Sequence, residues 1–151
     1  MSTEQTRSLI ERFYSALTNG DREDIRACLS SDVVWRLPKT AGETGTGGAD
    51  QDGCVRGREA VAAELGGRTI KETFDTSKPF ALEIRSMIVD GELAAVQQRL
   101  TATTKAKGEA YDNQYCWVYS CPAGEISHIE EYADTLYAAR TMGWKLEGEE
   151  Q

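Results

Sequence analysis

The sequence predicts an α+β fold, with helices in the N-terminal part packed on a curved, mostly antiparallel sheet. Three features predict it. Leu9, Ile10, Phe13 and Leu17 recur at helical spacing, the mark of an amphipathic helix. Between Leu82 and Glu131 the pattern changes to alternation, the period of half-buried strands. That stretch is broken at Asp90-Gly91, Ala106-Lys107-Gly108 and Pro122-Ala123-Gly124. These are a two-residue turn and two three-residue bends whose last glycine takes the left-handed conformation, and each closes an antiparallel hairpin.

The elements follow in order. Ser2 with Gln5 forms a capping box, and the first helix runs from about Thr3 to Leu17, stopped by Asn19-Gly20. Asp21 caps a short second helix carrying Ile25, Cys28 and Leu29. Asp32 to Leu37 reads as a strand holding Trp35 and ended by Pro38. Lys39 to Val55 is glycine-rich and lacks hydrophobic period, so it resembles a mobile flap or a partly disordered loop. Its glycines do not fit a phosphate-binding loop, because no Lys-Ser/Thr pair follows in the required place. Gly57 to Leu65 reads as a third helix with Val61 and Leu65 inward, and after four strands Asp134 or Thr135 caps a last helix ending at Gly143. The expectation is one domain over residues 1–145 and an acidic tail over 146–151.

Composition narrows the function. The chain of 151 residues is 40% hydrophobic and 28% charged, the make-up of an ordinary globular protein with room for a core and a pocket. A formal charge of -8, with no cluster of Lys and Arg, argues against nucleic acids and anionic membranes as partners. Cys28, Cys54, Cys116 and Cys121 show no CxxC spacing and His128 is the one histidine, so no metal site is expected. With no leader-like start and no membrane-length apolar run, the protein reads as cytoplasmic.

Counting across the bends sets a register. If Lys105 faces Glu109 and Cys121 faces Glu125, then Arg99, Tyr115 and Glu131 fall in one row. The Asp90-Gly91 turn pairs Leu82 with Arg99, Ile84 with Gln97, Ser86 with Ala95 and Ile88 with Leu93. The shared face then holds Leu82, Ile84, Ile88, Leu93, Ala95, Tyr111, Tyr115, Trp117, Tyr119 and Ile129, with Arg99, Thr101, Asn113 and Glu131 among them. Arg99 and Glu131 lie two strands apart, roughly 10 Å at the backbone, a gap that their side chains close around the Tyr115 ring. A slip of one residue in either bend turns part of the row outward. The opposite face carries Gln98, Asp112, Gln114, His128 and Glu130, with Met87, Val89, Val96, Leu100, Val118 and Tyr132 offering apolar area to a partner sheet.

Four phrases in order, LIERFYSALTNGDREDI, DVVWRLP, GREAV and GEISHIEEYADT, resemble the SnoaL-like branch of the nuclear transport factor two superfamily. The resemblance covers nearly the whole chain and implies a cone-shaped α+β barrel. It also implies a mixed set of activities: ketosteroid isomerases, limonene-type epoxide hydrolases, polyketide cyclases, dehydratases and members without chemistry. At the isomerase positions this chain has Phe13 for the helical tyrosine and Leu37 for the aspartate base, which largely excludes that reaction. At the epoxide hydrolase positions Arg99 is kept, Thr101 replaces one aspartate, and Glu131 ahead of Tyr132 replaces the other.

Glu131 is therefore the candidate acid/base, raised by desolvation and lowered by a nearby Arg99; the alternative is a structural Arg-Glu pair that holds the register. Tyr115, with Arg99 and Asn113, is the candidate for holding a developing oxyanion. Tyr111, Trp117, Trp35 and Thr101 are expected to shape a site for a hydrophobic or polycyclic ligand. Three functions fit: a cofactor-independent enzyme of the polyketide-cyclase or isomerase kind, a non-catalytic binding protein using the same pocket, and an association domain that dimerises through the outer sheet face. A homodimer is compatible with all three, and a limonene-type hydrolase with altered acids stays as a variant of the first.

Overall fold

The computed structural model describes residues 1–145, so the expected acidic tail lies outside the described residues. The chain folds into N-terminal helices and a curved, unclosed sheet of six strands. Helix α1 (Thr3–Asn19) starts at the expected capping box, in which Ser2 Oγ accepts from the Gln5 N–H at 3.1 Å and Gln5 Oε1 from the Ser2 N–H at 2.9 Å. It ends at Gly20, whose φ of 64° only glycine adopts without strain. Helix α2 (Arg22–Cys28) is capped by Asp21, and strand β1 (Leu29–Arg36) starts three residues before the expected Asp32.

The segment read as a flap or disordered loop is built. It holds helix α3 (Lys39–Glu43), a 3-10 turn at Thr46–Gly48 and strand β2 (Cys54–Arg56). Its packing is backbone against backbone: a Cβ on Gly42 would fall 2.7 Å from the Gly53 Cα. Contact of that kind leaves no hydrophobic period to read. Helix α4 (Arg58–Ala63) runs on through a π-helical stretch at Glu64–Arg68 into α5 (Thr69–Thr73), past the end expected at Leu65. Strands β3 (Ala81–Asp90), β4 (Leu93–Thr103), β5 (Ala110–Ser120) and β6 (Ile126–Ala133) follow, then helix α6 (Thr135–Met142), capped by Asp134 and closed by Gly143. The sheet order is β2-β1-β6-β5-β4-β3, with β1 and β6 parallel and every other pair antiparallel.

Register departs from expectation in three places. The β4–β5 loop has four residues, Lys105–Gly108, because Thr104 and Glu109 close it: the Thr104 N–H donates to the Glu109 carbonyl at 2.8 Å. Lys105 is drawn out of the hairpin, donating its N–H to the Thr73 carbonyl at 3.0 Å. One extra residue moves the whole of β4 to the opposite alternation. Arg99 now faces Gln114, and Gln98 faces Tyr115. Ala94, Val96, Gln98 and Leu100 turn inward, while Leu93, Arg99 and Thr101 turn outward. At β5–β6 Trp117 faces Glu131 and Tyr119 faces Ile129; the shift is two residues, so Glu131 keeps its inward face. The β3–β4 turn is Gly91-Glu92 and not Asp90-Gly91, with Asp90 opposite Leu93, so Ile88 faces Ala95 on the outer face and is 65% exposed while Met87 and Val89 turn inward; an irregularity between Ile84 and Ser86 brings Leu82 back to the inner face, opposite Leu100.

These changes correct two expectations. Met87, Val89, Val96 and Leu100 belong to the interior and not to an outer apolar face. Arg99 lies on the face away from Glu131 and binds Asp112 through two hydrogen bonds of 2.8 and 2.7 Å. The interior divides into a large cluster around Ile10, Phe13, Ile25, Val33, Trp35 and Tyr119, and a smaller one around Phe74, Tyr111 and Ala138. Because the Arg99–Asp112 pair is exposed, Arg99→Ala is expected to leave the thermal unfolding midpoint close to that of the parent protein. A large drop in the midpoint would mean that the guanidinium faces the interior.

Candidate active site

Three strands bring the central group together. Trp35 on β1 lies beside Ile129 of β6, and Trp117 on β5 lies across from Glu131 of β6. The two indoles stack with centroids 5.7 Å apart and planes 27° from parallel. The Trp35 Nε1–H donates to Glu131 Oε1 at 3.0 Å. No salt bridge to Glu131 exists among the described residues, and the expected Arg99–Glu131 pair is absent. Desolvation pushes the Glu131 carboxyl up to about 8, against the Trp35 hydrogen bond, which favours the charged form. The carboxyl is thus mainly protonated at neutral pH and exchanges its proton close to it, the condition under which one group serves as acid and base.

Phenols surround this carboxyl. Tyr111 and Tyr115 share a hydrogen bond of 2.6 Å, as do Tyr14 and Tyr119. Burial, with the Glu131 charge adding to it, raises all four above the ordinary phenol value, so at neutral pH they remain neutral. Asn113 is buried and committed: its Nδ2 donates to the Tyr111 hydroxyl at 2.8 Å and to the Asp134 carbonyl at 3.1 Å. It holds Tyr111, which in turn holds Tyr115. Tyr111 also packs on Phe74 and Tyr137, with centroids 5.2 and 5.5 Å away. Thr101 lies opposite Asp112, on the outer face. Of the eight residues singled out by sequence, six lie inward, and Arg99 and Thr101 do not.

Two inward residues escaped the sequence reading. Tyr14 is one position from Phe13 and four from Ile10, and this helical spacing marks it as buried. Gln98 was placed outside by the register, yet it is 4% exposed. Its Oε1 and the Trp117 Nε1 are buried without a hydrogen-bond partner among the described residues. A polar atom left in that state costs about 1–3 kcal/mol.

A cleft of about 630 Å³ reaches Glu131 from one side. Leu37, α3, the Gln51–Gly53 turn and β6 line it, with Lys39, Glu43 and Asp52 among its polar walls. The α3–β2 segment also touches the indole pair: a Cβ on Gly47 would meet the Trp35 ring at 3.3 Å. Among the described residues no group of three or more His, Cys, Asp or Glu side chains is placed to hold a metal ion, and no helix is long and apolar enough to cross a membrane.

The raised carboxyl has a thermodynamic consequence. Unfolded, Glu131 ionises near the ordinary 4.5; folded, it does so near 8. Between these values the folded state holds the extra proton, so stability falls as pH rises from about 4.5 to about 8 and then levels. Melting curves of Glu131→Gln and the parent protein should therefore diverge across that window, the variant gaining on the order of a few kcal/mol by pH 8. Parallel curves would contradict the assignment. Trp35→Phe removes a donor to the charged form, so the upper edge of the window should move to higher pH.

Residues 10–129 match the SnoaL-like domain family, while no curated protein matches the chain. Among solved structures, a putative ketosteroid isomerase from Kribbella flavida is 21% identical with a TM-score of 0.64, the alignment covering 87% of this chain and 78% of the other. A putative SnoaL-like polyketide cyclase from Jannaschia is 14% identical with a TM-score of 0.73, covering 95% of each. TerC, co-crystallised with polyporic acid, is 18% identical with a TM-score of 0.75, covering 92% and 98%. At these identities the structural likeness shows the fold, which is that of nuclear transport factor two-like proteins, and with 120 consecutive positions (10 to 129) matched, the chain belongs to the SnoaL-like domain family.

Proposed function

We propose that this protein is a cofactor-independent acid/base enzyme of the polyketide-cyclase or isomerase kind, acting on a hydrophobic carbonyl or polycyclic compound. The observation that carries the reading is the Glu131 carboxyl, raised to about 8 at the end of a cleft and bonded to the Trp35 indole. In this reading Glu131 moves a proton next to a substrate carbonyl, and Tyr115, neutral and backed by Tyr111 and Asn113, donates to the oxygen as charge develops. Trp35 and Trp117 give the apolar surface on which a ring packs. Arg99 has no place in the step, because it lies on the far face with Asp112. The limonene-type reading is set aside for the same reason, since Arg99 and Thr101 are two of its three positions.

The neighbours in fold fit this proposal, since one bears the name putative SnoaL-like polyketide cyclase, one the name putative ketosteroid isomerase, and one was co-crystallised with polyporic acid. The reading also takes residues 1–145 as one domain of a cytoplasmic homodimer, with Ile88, Leu93 and Tyr132 as the exposed apolar residues of the outer face. A second reading, capture without conversion, is favoured by the way the Tyr111, Tyr115 and Asn113 groups satisfy one another. The two separate on proton exchange.

With 1-tetralone as the probe in deuterated buffer, the enzyme reading expects exchange of the protons next to the carbonyl above the buffer rate. It also expects a loss of about 100-fold or more in Glu131→Gln and no change in Arg99→Met. Exchange at full rate in Glu131→Gln would remove Glu131 as the base, and binding without exchange in the parent protein would support capture.

A further inference from the structure

Glu64 is a buried carboxyl, 6% exposed, that the proposed chemistry does not use. It opens the π-helical stretch Glu64–Arg68, where the Thr69 N–H donates to the Glu64 carbonyl across five residues. In an α-helix, side chains five apart point to different faces. The wider π turn, a feature found often at functional sites, brings them together, and the Thr69 hydroxyl donates to Glu64 Oε2 at 2.7 Å. The exposed Arg68 reaches Oε1 at 3.5 Å. A carboxyl in such a place is costly beside an apolar side chain of the same size, so its neighbours should show what it does.

Those neighbours lead to Trp35. The 3-10 turn at Thr46–Gly48 packs on the Glu64–Thr69 pair: a Cβ on Gly48 would stand 3.4 Å from Glu64 Oε1, and one on Gly47 would stand 3.5 Å from Thr69 Oγ1 and 3.3 Å from Cζ3 and Cη2 of Trp35. These two carbons form the outer edge of the six-membered ring, while Nε1 in the five-membered ring donates to Glu131 at 3.0 Å. The indole is held at both ends, by the turn and by the carboxyl. The ionisable groups around Glu131 itself are the phenols of Tyr14 on α1 and of Tyr111, Tyr115 and Tyr119 on β5. No hydrogen bond joins Glu64 to any of them among the described residues, so its route to the site is the Trp35 ring.

We propose that Glu64 is a positioning residue of the Glu131 site: bonded to Thr69 across the π turn, it seats the Gly47–Gly48 backbone against the Trp35 ring and so keeps the indole N–H on Glu131. This rests on the reading of Glu131 as the working carboxyl and adds a support one layer behind it.

Carbon-13 NMR titration of the Glu131 carboxyl in the full chain tests the role. Glu64→Leu, which keeps the bulk and removes the acceptor, is expected to move the midpoint up by about one pH unit, the direction that loss of the Trp35 bond dictates. Glu64→Gln keeps an acceptor for the Thr69 hydroxyl and should restore the parent midpoint. In a Trp35→Phe background, Glu64→Leu should add no further shift. Loss of the Glu64 charge acting directly on Glu131 would have the opposite sign and lower the midpoint. An unchanged or lowered midpoint in folded Glu64→Leu, or an equal rise in the Trp35→Phe background, overturns the inference, whatever happens to the melting temperature. Should Glu64→Leu fail to fold, Thr69→Val decides: a raised midpoint supports the role and an unchanged one overturns it. Exchange into 1-tetralone by the parent protein judges the enzyme reading separately. If the midpoints move as expected and no exchange occurs, the positioning of Trp35 by Glu64 stands and the catalytic reading falls.

Discussion

One carboxyl group inside the sheet, with an indole N–H as its hydrogen-bond partner, sets the terms for everything around it. Glu131 is half-buried where the cleft meets the sheet, and the Trp35 hydrogen bond at 3.0 Å offsets a part of what ionisation costs there. A cation beside it would have pulled it down into the ordinary carboxylate range and made a structural ion pair. The fold avoids this by turning Arg99 outward to Asp112. The same carboxyl pushes Tyr115, Tyr111, Tyr119 and Tyr14 further from ionisation, so the site is a set of neutral donors around a proton that is easily exchanged.

How this arrangement is held follows from the strands. Trp35 comes from β1, which lies parallel to β6, and Trp117 from β5, antiparallel to it, so the strands that carry the stacked indoles flank the strand that carries the carboxyl. Gly47 lies against the Trp35 ring, and the Gly42–Gly53 contact ties the surrounding segment together. The stretch from Lys39 to Val55 is thus a wall of the cleft. Its glycines permit close approach of backbone to ring and backbone to backbone, which larger residues prevent.

Much of this was legible in the sequence, and the failures have a common cause. Helix ends were legible because capping is local: Ser2 with Gln5, Asp21, Asp134, Gly20 and Gly143 do what their chemistry prescribes. Glu131 keeps the inward face expected for it, shared with Tyr115 and Trp117, since a two-residue shift at the β5–β6 bend preserves alternation. Arg99 and Gln98 were exchanged because the β4–β5 loop is one residue longer, and that length depends on a tertiary contact between Lys105 and Thr73. No rule of turn composition contains that contact. The segment from Lys39 to Val55 read as disordered because glycine packing leaves no periodic trace.

Membership in the family fixes the scaffold and leaves the chemistry to the residues that this chain places on it. The proposed chemistry therefore depends on the state of one proton, and carbon-13 NMR of the Glu131 carboxyl, assigned by comparison with Glu131→Gln, measures it directly. The arrangement described here predicts a titration midpoint near 8. A midpoint near the ordinary 4.5 would show a solvated or cation-paired carboxylate and contradict the central claim.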